Sequence, residues 1–338
     1  MSPLPRNTSI CRDRCGHRTV RGLQPCRGGV VPRSSVVVSP APSRVERVAT
    51  QRRYLMTPPS HFEISYAINV WMDPSRPVDR SLAHRQWDDL VAVYESLGHT
   101  VERADPAPGL PDMVFAANGA VVVGGIAVGA RFATPQRAPE AALYREALFA
   151  AGIGVVHEPS YVNEGEGDYV VVGDTILAGT GFRTDVRAHA ELARLTGREV
   201  VSLPLVDPRF YHLDVAVFAL DDHNVAYYPG AFDADGRAEL RRRFPDAIIA
   251  DEHDALVLGL NAVSDGRHVV VPDEAEHLMA RVHEAGYLPI PIDMSELRKS
   301  GGGPKCCTLE LRPAPGATEL RPAPGATELR PAPGTEPS

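Results

Sequence analysis

Four stretches share one order of polar and hydrophobic positions, in which a helical segment closes near a glycine and a short apolar strand follows. They are ESLGHTVERAD, FAAGIGVVHEP, RLTGREVVSLPL and HEAGYLPIPID, and RRRFPDAIIADE is a variant that turns at Pro245. Gly98, Gly152, Gly197 and Gly286 suit the left-handed backbone position that ends many helices. The units recur every 40 to 55 residues or so, roughly the interval of repeat architectures. Between them lie paired apolar runs split by turn residues: NGAVVVGGIAVGARF, DYVVVGDTILAG, VAVFALDDHNVAYYPG and LNAVSDGRHVVVP. Turn signals at GDT, DDHN and SDG predict hairpins, which helices such as APEAALYREALFAAG then follow. The whole reads as about five strand, strand, helix, strand units. Five such wedges around an axis would form one closed α/β body, with TLEL after Cys307 as the strand completing the ring beside the first unit. A doubly wound sheet is the competing architecture, but its alternation is simpler and no glycine-rich dinucleotide loop follows a strand here.

Both ends break this pattern. Residues 1–55 hold eleven Arg, no Lys and only Asp13 and Glu46 as acids. With them set aside, 24 basic residues face 41 acidic ones, so the rest of the chain carries −17 against −8 for the whole. An acidic body argues against a nucleic-acid or anionic-membrane surface and tolerates cationic small molecules. No run approaches the roughly 20 apolar residues of a membrane helix, and no secretory signal core is present; an intracellular, cytoplasmic protein is expected. Residues 1–55 are expected to be a disordered basic arm, or a mis-assigned start before Met56, since their prolines oppose the amphipathic helix of a transit peptide. Cys11, Cys15, Cys26 and His17 fit no familiar zinc-ligand spacing, and no metal or cofactor is expected. ELRPAPGAT occurs twice from Glu310 and is followed by ELRPAPGTE. That composition buries too little to offset its ordering entropy, so residues 314–338 are expected to be a disordered tail beyond one catalytic domain at 56–313.

No cysteine occurs in the 279 residues from Arg27 to Lys305; then Gly301, Gly302 and Gly303 lead through Pro304 and Lys305 to Cys306 and Cys307. If loops at one end of each wedge converge on the axis, functional residues should occur once per unit, at strand ends. Polar clusters meet that expectation: Asn69 and Asp73, Asp112 and Asn118, Glu164, Glu166 and Asp168, His212 and Asp214, Asn261, and Cys306. Each has an ordinary explanation. His212 would serve as a hydrogen-bonded structural histidine, the two glutamates as a solvated turn, Asp112 as a cap and Cys306 as a small buried hydrophobe. Jointly they are what covalent thiolate chemistry on a cationic carbon requires. The glycines would let the main chain pass close to a ligand.

PDMVFAANGA, EGEGD with GFRTD, YHLD, LNAVSDG and GGGPKCCTLEL together resemble the guanidino-group-modifying superfamily, over roughly Phe62 to Arg312. Its members include dimethylarginine hydrolases, arginine deiminases, arginine dihydrolases and amidinotransferases. The resemblance implies a fivefold α/β propeller, the pentein fold, and a cysteine-dependent hydrolase that attacks the guanidino carbon of arginine or an N-methylated arginine, its small-molecule partner, and gives citrulline through a covalent thiouronium, with a homodimer left open. It implies Cys306 as nucleophile, His212 as general acid and base, and Asp214 and Glu164 as carboxylates holding the guanidinium, with Glu166 as a substitute for Glu164. Asp112, Asn69 and Asn261 match substrate-site positions, and Arg137 and Arg183 match arginines that bind the substrate carboxylate. Cys307, on the opposite face of a regular strand, would be core. Asn118 departs from the aspartate of the dimethylarginine hydrolases and resembles the arginine dihydrolases, which release ornithine; amidinotransferases also stay open. Outside enzymes, the alternative is a propeller that binds arginine without turning it over.

Overall fold

A computed structural model describes residues 47–314. The valine-rich runs Ala120–Val123 and Ile126–Gly129 are joined only by Gly124 and Gly125, whose φ values of 60° and 78° make the tight turn an antiparallel hairpin needs. Helix Glu140–Ala150 carries the chain back, and Gly152 ends that segment at φ 80°. Val155–His157 then runs parallel to the middle strand. The same three-stranded wedge recurs with Tyr169–Val172, Thr175–Thr180 and Glu199–Pro204 around helix Val186–Thr196. It recurs with Val217–Ala219, Val225–Tyr227 and Ile248–Ile249 around helix Ala234–Arg243. A further wedge is Val263–Ser264, His268–Pro272 and Leu288–Ile292 around helix Glu276–Glu284.

The remaining wedge, the first in chain order, joins the two ends of the described chain. Leu309–Glu310 pairs antiparallel with Arg53–Met56, which pairs parallel with Thr100–Arg103 beyond helix Arg80–Ser96. Trp87, Leu90 and Tyr94 of that helix are buried with Tyr54 in the largest apolar cluster. Every strand order is therefore inner, middle, outer, as the strand, strand, helix, strand pattern predicts, and TLEL supplies the closing strand. Gly98, Gly197 and Gly286 also have positive φ, of 84°, 68° and 89°.

The expected boundary at Met56 cuts through this architecture. Tyr54 and Leu55 are buried and paired on both sides, and the Thr50 N–H donates to the Asp265 carbonyl at 2.8 Å. RYLM is a ring strand, so a chain starting at Met56 would leave the first sheet without its middle member. At the other end, the Arg312 carbonyl still accepts from Gly125 N–H at 2.9 Å. The expected arm up to residue 46, its Cys11, Cys15, Cys26 and His17, and the repeat tail from residue 315 lie outside the described residues. Among those described, no helix is long and apolar enough to cross a membrane.

Candidate active site

Each inner strand is entered through one or two tight turns, and these, more than the strand, carry the polar residues. Pro111–Val114 and Ala116–Gly119 precede the second wedge and hold Asp112 and Asn118. Glu164 directly precedes the turn Gly165–Gly167, and His212 the turn Leu213–Val215, which contains Asp214. Asn261 ends a turn before Val263, and Cys306 lies in the turn Pro304–Cys307. Cys306 is thus not on a strand, nor are His212 and Asp214, and the alternation argument for their faces does not apply. Cys307 is nonetheless buried in the apolar core. The Ala117 N–H donates to the Cys306 carbonyl at 3.0 Å, bringing the first and second turns together.

The Cys306 thiol sits between two groups, the Asp214 carboxylate with Oδ2 at 3.1 Å and the Asn261 amide, whose Nδ2 donates to Sγ at 3.1 Å. Asn261 also fixes the loop: its Oδ1 accepts from Gly303 N–H at 2.9 Å and Cys306 N–H at 3.0 Å, while Nδ2 donates to the Asp214 carbonyl at 3.1 Å. It holds the nucleophile, where a substrate contact was expected. The glycines face the protein's own groups as well. Gly301 adopts φ 84°, and a Cβ on Gly302 would lie 2.3 Å from the Phe115 ring. Burial and the neighbouring Asp214 charge both push the Cys306 thiol well above its ordinary range. Burial likewise raises Asp214 to about 7, against the pull of Lys305, the thiol and Asn261.

His212 Nε2 lies 2.6 Å from Glu164 Oε2, which also accepts from Arg183 Nη1 at 2.8 Å. Burial opposes ionisation of Glu164, but the hydrogen bond and charge of His212, with Arg183 and Arg137, hold it well below the usual carboxylate range. Asp168, raised by burial to about 6, accepts from Thr184 Oγ1 at 2.7 Å and from Leu213 N–H at 3.1 Å, which steadies the His212 turn. Glu166 is turned away from this centre. It accepts from Lys305 Nζ at 2.7 Å, from Glu310 N–H at 3.1 Å and from Arg312. Of the two glutamates, Glu164 is the one beside His212.

A narrow cavity is lined by Asn69, Asp112, Asn118, Arg137, Arg183 and Cys306, with Tyr211 and Phe115 among its apolar walls. Glu164 joins it through Arg183, and Asp214 through the thiol. Tyr66 donates to Asp112 Oδ2 at 2.7 Å, and Tyr211 donates to the Gly301 carbonyl at 3.0 Å. Asn69 accepts from Trp71 and Met72 N–H and donates to the Ser300 carbonyl, so it ties two cavity loops together. Arg137 lines the cavity with its donors turned to Glu140, to Asn118 Oδ1 at 2.5 Å and to the Asp112 carbonyl. Asp73 is exposed and bonded to Ser75, outside the site. Tyr66 and Glu140 escaped sequence reading because neither stands in a polar cluster; Tyr211 stood in plain view beside His212.

No protein-family model matches the chain. Over 271 residues, 80% of this chain and 89% of the relative, it is 51% identical to N(G),N(G)-dimethylarginine dimethylaminohydrolase of Mycobacterium tuberculosis. It is 34% identical over 270 residues to the bifunctional arginine dihydrolase/ornithine cyclodeaminase ArgZ of Synechocystis, spanning 38% of that longer protein. Among solved structures, the N-terminal domain of an ArgZ variant covalently bonded to a reaction intermediate matches 78% of this chain and 98% of its own length, at TM-score 0.74 and 32% identity. A dimethylarginine dimethylaminohydrolase adduct shares the fold, at TM-score 0.64 and 19% identity.

Proposed function

This chain belongs to the guanidino-group-modifying superfamily, and we propose from that membership that it hydrolyses an N-methylated arginine to citrulline and a methylamine through Cys306. It has the fivefold propeller of the superfamily and is a hydrolase of amidine C–N bonds. One observation carries the assignment of residues. Asp112 Oδ1, Asn118 Nδ2, His212 Nδ1 and Asp214 Oδ1 are all buried without a hydrogen-bond partner. Buried polar atoms normally have partners. Two carboxylate oxygens of this kind suit a planar cation with several N–H donors, and a free imidazole nitrogen suits proton transfer.

A guanidinium held by Asp112 and Asp214 brings positive charge beside the thiol and so offsets the causes that keep it protonated. The thiol passes its proton to His212, the thiolate attacks the guanidino carbon, the C–S bond forms, and His212 gives that proton to the departing amine as the C–N bond breaks. A covalent thiouronium remains. Water then adds, His212 takes its proton, and cleavage of the C–S bond returns the thiolate. Glu164, bonded to Nε2, orients the ring with Nδ1 as the working atom. Arg183, which donates to Glu164 and to the Ile68 carbonyl, would turn to the substrate carboxylate.

Asn118 favours a second reading, arginine dihydrolysis to ornithine. Its amide is neutral, its Oδ1 is held by Arg137 and its Nδ2 is free, so it can donate to a ureido oxygen where a carboxylate could not. Product analysis with dimethylarginine and arginine separates the two: dimethylamine with citrulline supports the first, ornithine with two equivalents of ammonia the second. Cys306→Ser should abolish turnover of either, and acid-quenched wild type should carry a mass adduct on Cys306. Full turnover by Cys306→Ser would overturn the nucleophile assignment.

A further inference from the structure

Outside the cavity, Asp254 is an anomaly. Its side chain is 0% exposed, and neither carboxylate oxygen has a hydrogen-bond partner. Leaving a buried carboxylate in that state is costly unless a cation compensates it. It sits in the short helix Glu252–Leu256, capped by Asp251, and faces helix Glu276–Glu284 of the next wedge. There Asp251, His253, Asp254 and His277 each bring one donor atom into a group whose members all lie within 4.8 Å of one another.

We propose that Asp251, His253, Asp254 and His277 form a divalent-metal site of the zinc class, which clamps the fourth wedge to the fifth and takes no part in catalysis. Two imidazoles with two carboxylates suit borderline cations such as Zn2+ or Co2+; Mg2+ and Ca2+ take all-oxygen sets. Donor atoms of a tetrahedral zinc centre stand about 3.3 Å apart, so closure needs inward movements of roughly 1 Å. The side chains of His253 and His277 are 63% and 61% exposed, and so have room to make them. The His277 Nδ1 contact with Asp251 Oδ2, 2.9 Å, would give way to two metal bonds.

Arg281 is the competing cation. It donates to Asp251 Oδ2 at 2.9 Å but stays 4.0 Å from Asp254, and it is anchored on the Ile249 carbonyl. In the metal-bound state it remains an outer partner of the Asp251 carboxylate, a common arrangement around metal ligands. The clamp borders the catalytic turn, because the Asp254 carbonyl accepts from Gly259 N–H at 2.8 Å, two residues before Asn261.

The test uses the full chain, stripped with a chelator, titrated with Zn2+ by calorimetry and with Co2+ by visible spectroscopy. The expected result is one equivalent with the intense visible bands of four-coordinate Co2+ and without thiolate charge-transfer bands, which sets it apart from any cysteine site. His253→Ala with His277→Ala, both on the surface, should weaken that equivalent at least about 100-fold. Asp254→Asn should abolish the rise in melting temperature that Zn2+ gives the wild type. Unchanged Zn2+ affinity in the double histidine variant, or thiolate bands on every equivalent of Co2+, would overturn the site.

Discussion

Asn261 makes four contacts with one planar amide: two backbone N–H groups on one side, the thiol and the Asp214 carbonyl on the other. Removing it would leave two buried donors without an acceptor, at roughly 1–3 kcal/mol each, and would free the loop that presents sulfur. Asn261→Ala should therefore lower kcat about 100-fold with KM little changed, since effective positioning is lost before binding is. Steady-state kinetics together with the rate of iodoacetamide labelling of Cys306 would check this; a large KM effect alone would return Asn261 to a substrate contact. Asp214 makes a second prediction. Its carboxyl is raised to about 7, so it is largely neutral below that pH and anionic above it. A cationic substrate needs the anion, and kcat/KM should climb through about pH 7 with a tenfold change per unit on the acid side. Because the folded carboxyl lies above its ordinary value of 3.8, its ionisation lowers stability as pH rises from 4 or so towards 7. Asp214→Asn should then melt higher than wild type at pH 8, but not at pH 4, while its activity collapses. Thermal melts at both pH values decide the point.

At the level of elements, the five short turns explain what was legible and what was not. The hairpins could be read because glycine, aspartate and asparagine punctuate them, and the helix ends because Gly98, Gly152, Gly197 and Gly286 take the left-handed conformation. The strand RYLM could not be read. It follows an arginine-rich segment and has no hairpin partner next to it in sequence; its neighbours come from residues 100–103 and 309–310. The order of site motifs was visible, but their secondary structure was not, since a single turn has too few residues to show a period. The cluster around Asp254 was hidden for a different reason: it joins two wedges through residues 251 and 277, and no local spacing encodes that. Packing inside the turns gives a direct test. A Cβ on Gly167 would stand 2.3 Å from Asn118 Nδ2 and 3.1 Å from His212 Nδ1. Gly167→Ala should thus displace two site residues and reduce kcat at least about tenfold, with a stability loss of the order of overpacking, 1–3 kcal/mol.

For the whole molecule, a ring built from one chain must hold its last strand against its first, and here that strand is only Leu309–Glu310. Two residues of pairing are a weak closure. Glu166 reinforces it from the third wedge: its side chain is 1% exposed and takes hydrogen bonds from Lys305, the Glu310 N–H and Arg312. EGEGD thus carries two acids with separate partners, Glu164 beside His212 and Glu166 on the closing segment. Lys305 precedes Cys306, so the same contact that shuts the ring also holds the nucleophile's turn. Removing one partner of a buried ionic group leaves the others uncompensated, typically at about 3–5 kcal/mol. Glu166→Gln should consequently lower the unfolding free energy obtained from urea melts by that measure and expose Trp87, which packs in the wedge being closed. Glu63→Gln, whose partner Arg80 is 55% exposed, is the matching surface control and should change the unfolding free energy by less than about 1 kcal/mol. Equal shifts in the two variants, followed by Trp87 fluorescence, would mean that backbone pairing and apolar packing close the ring without Glu166.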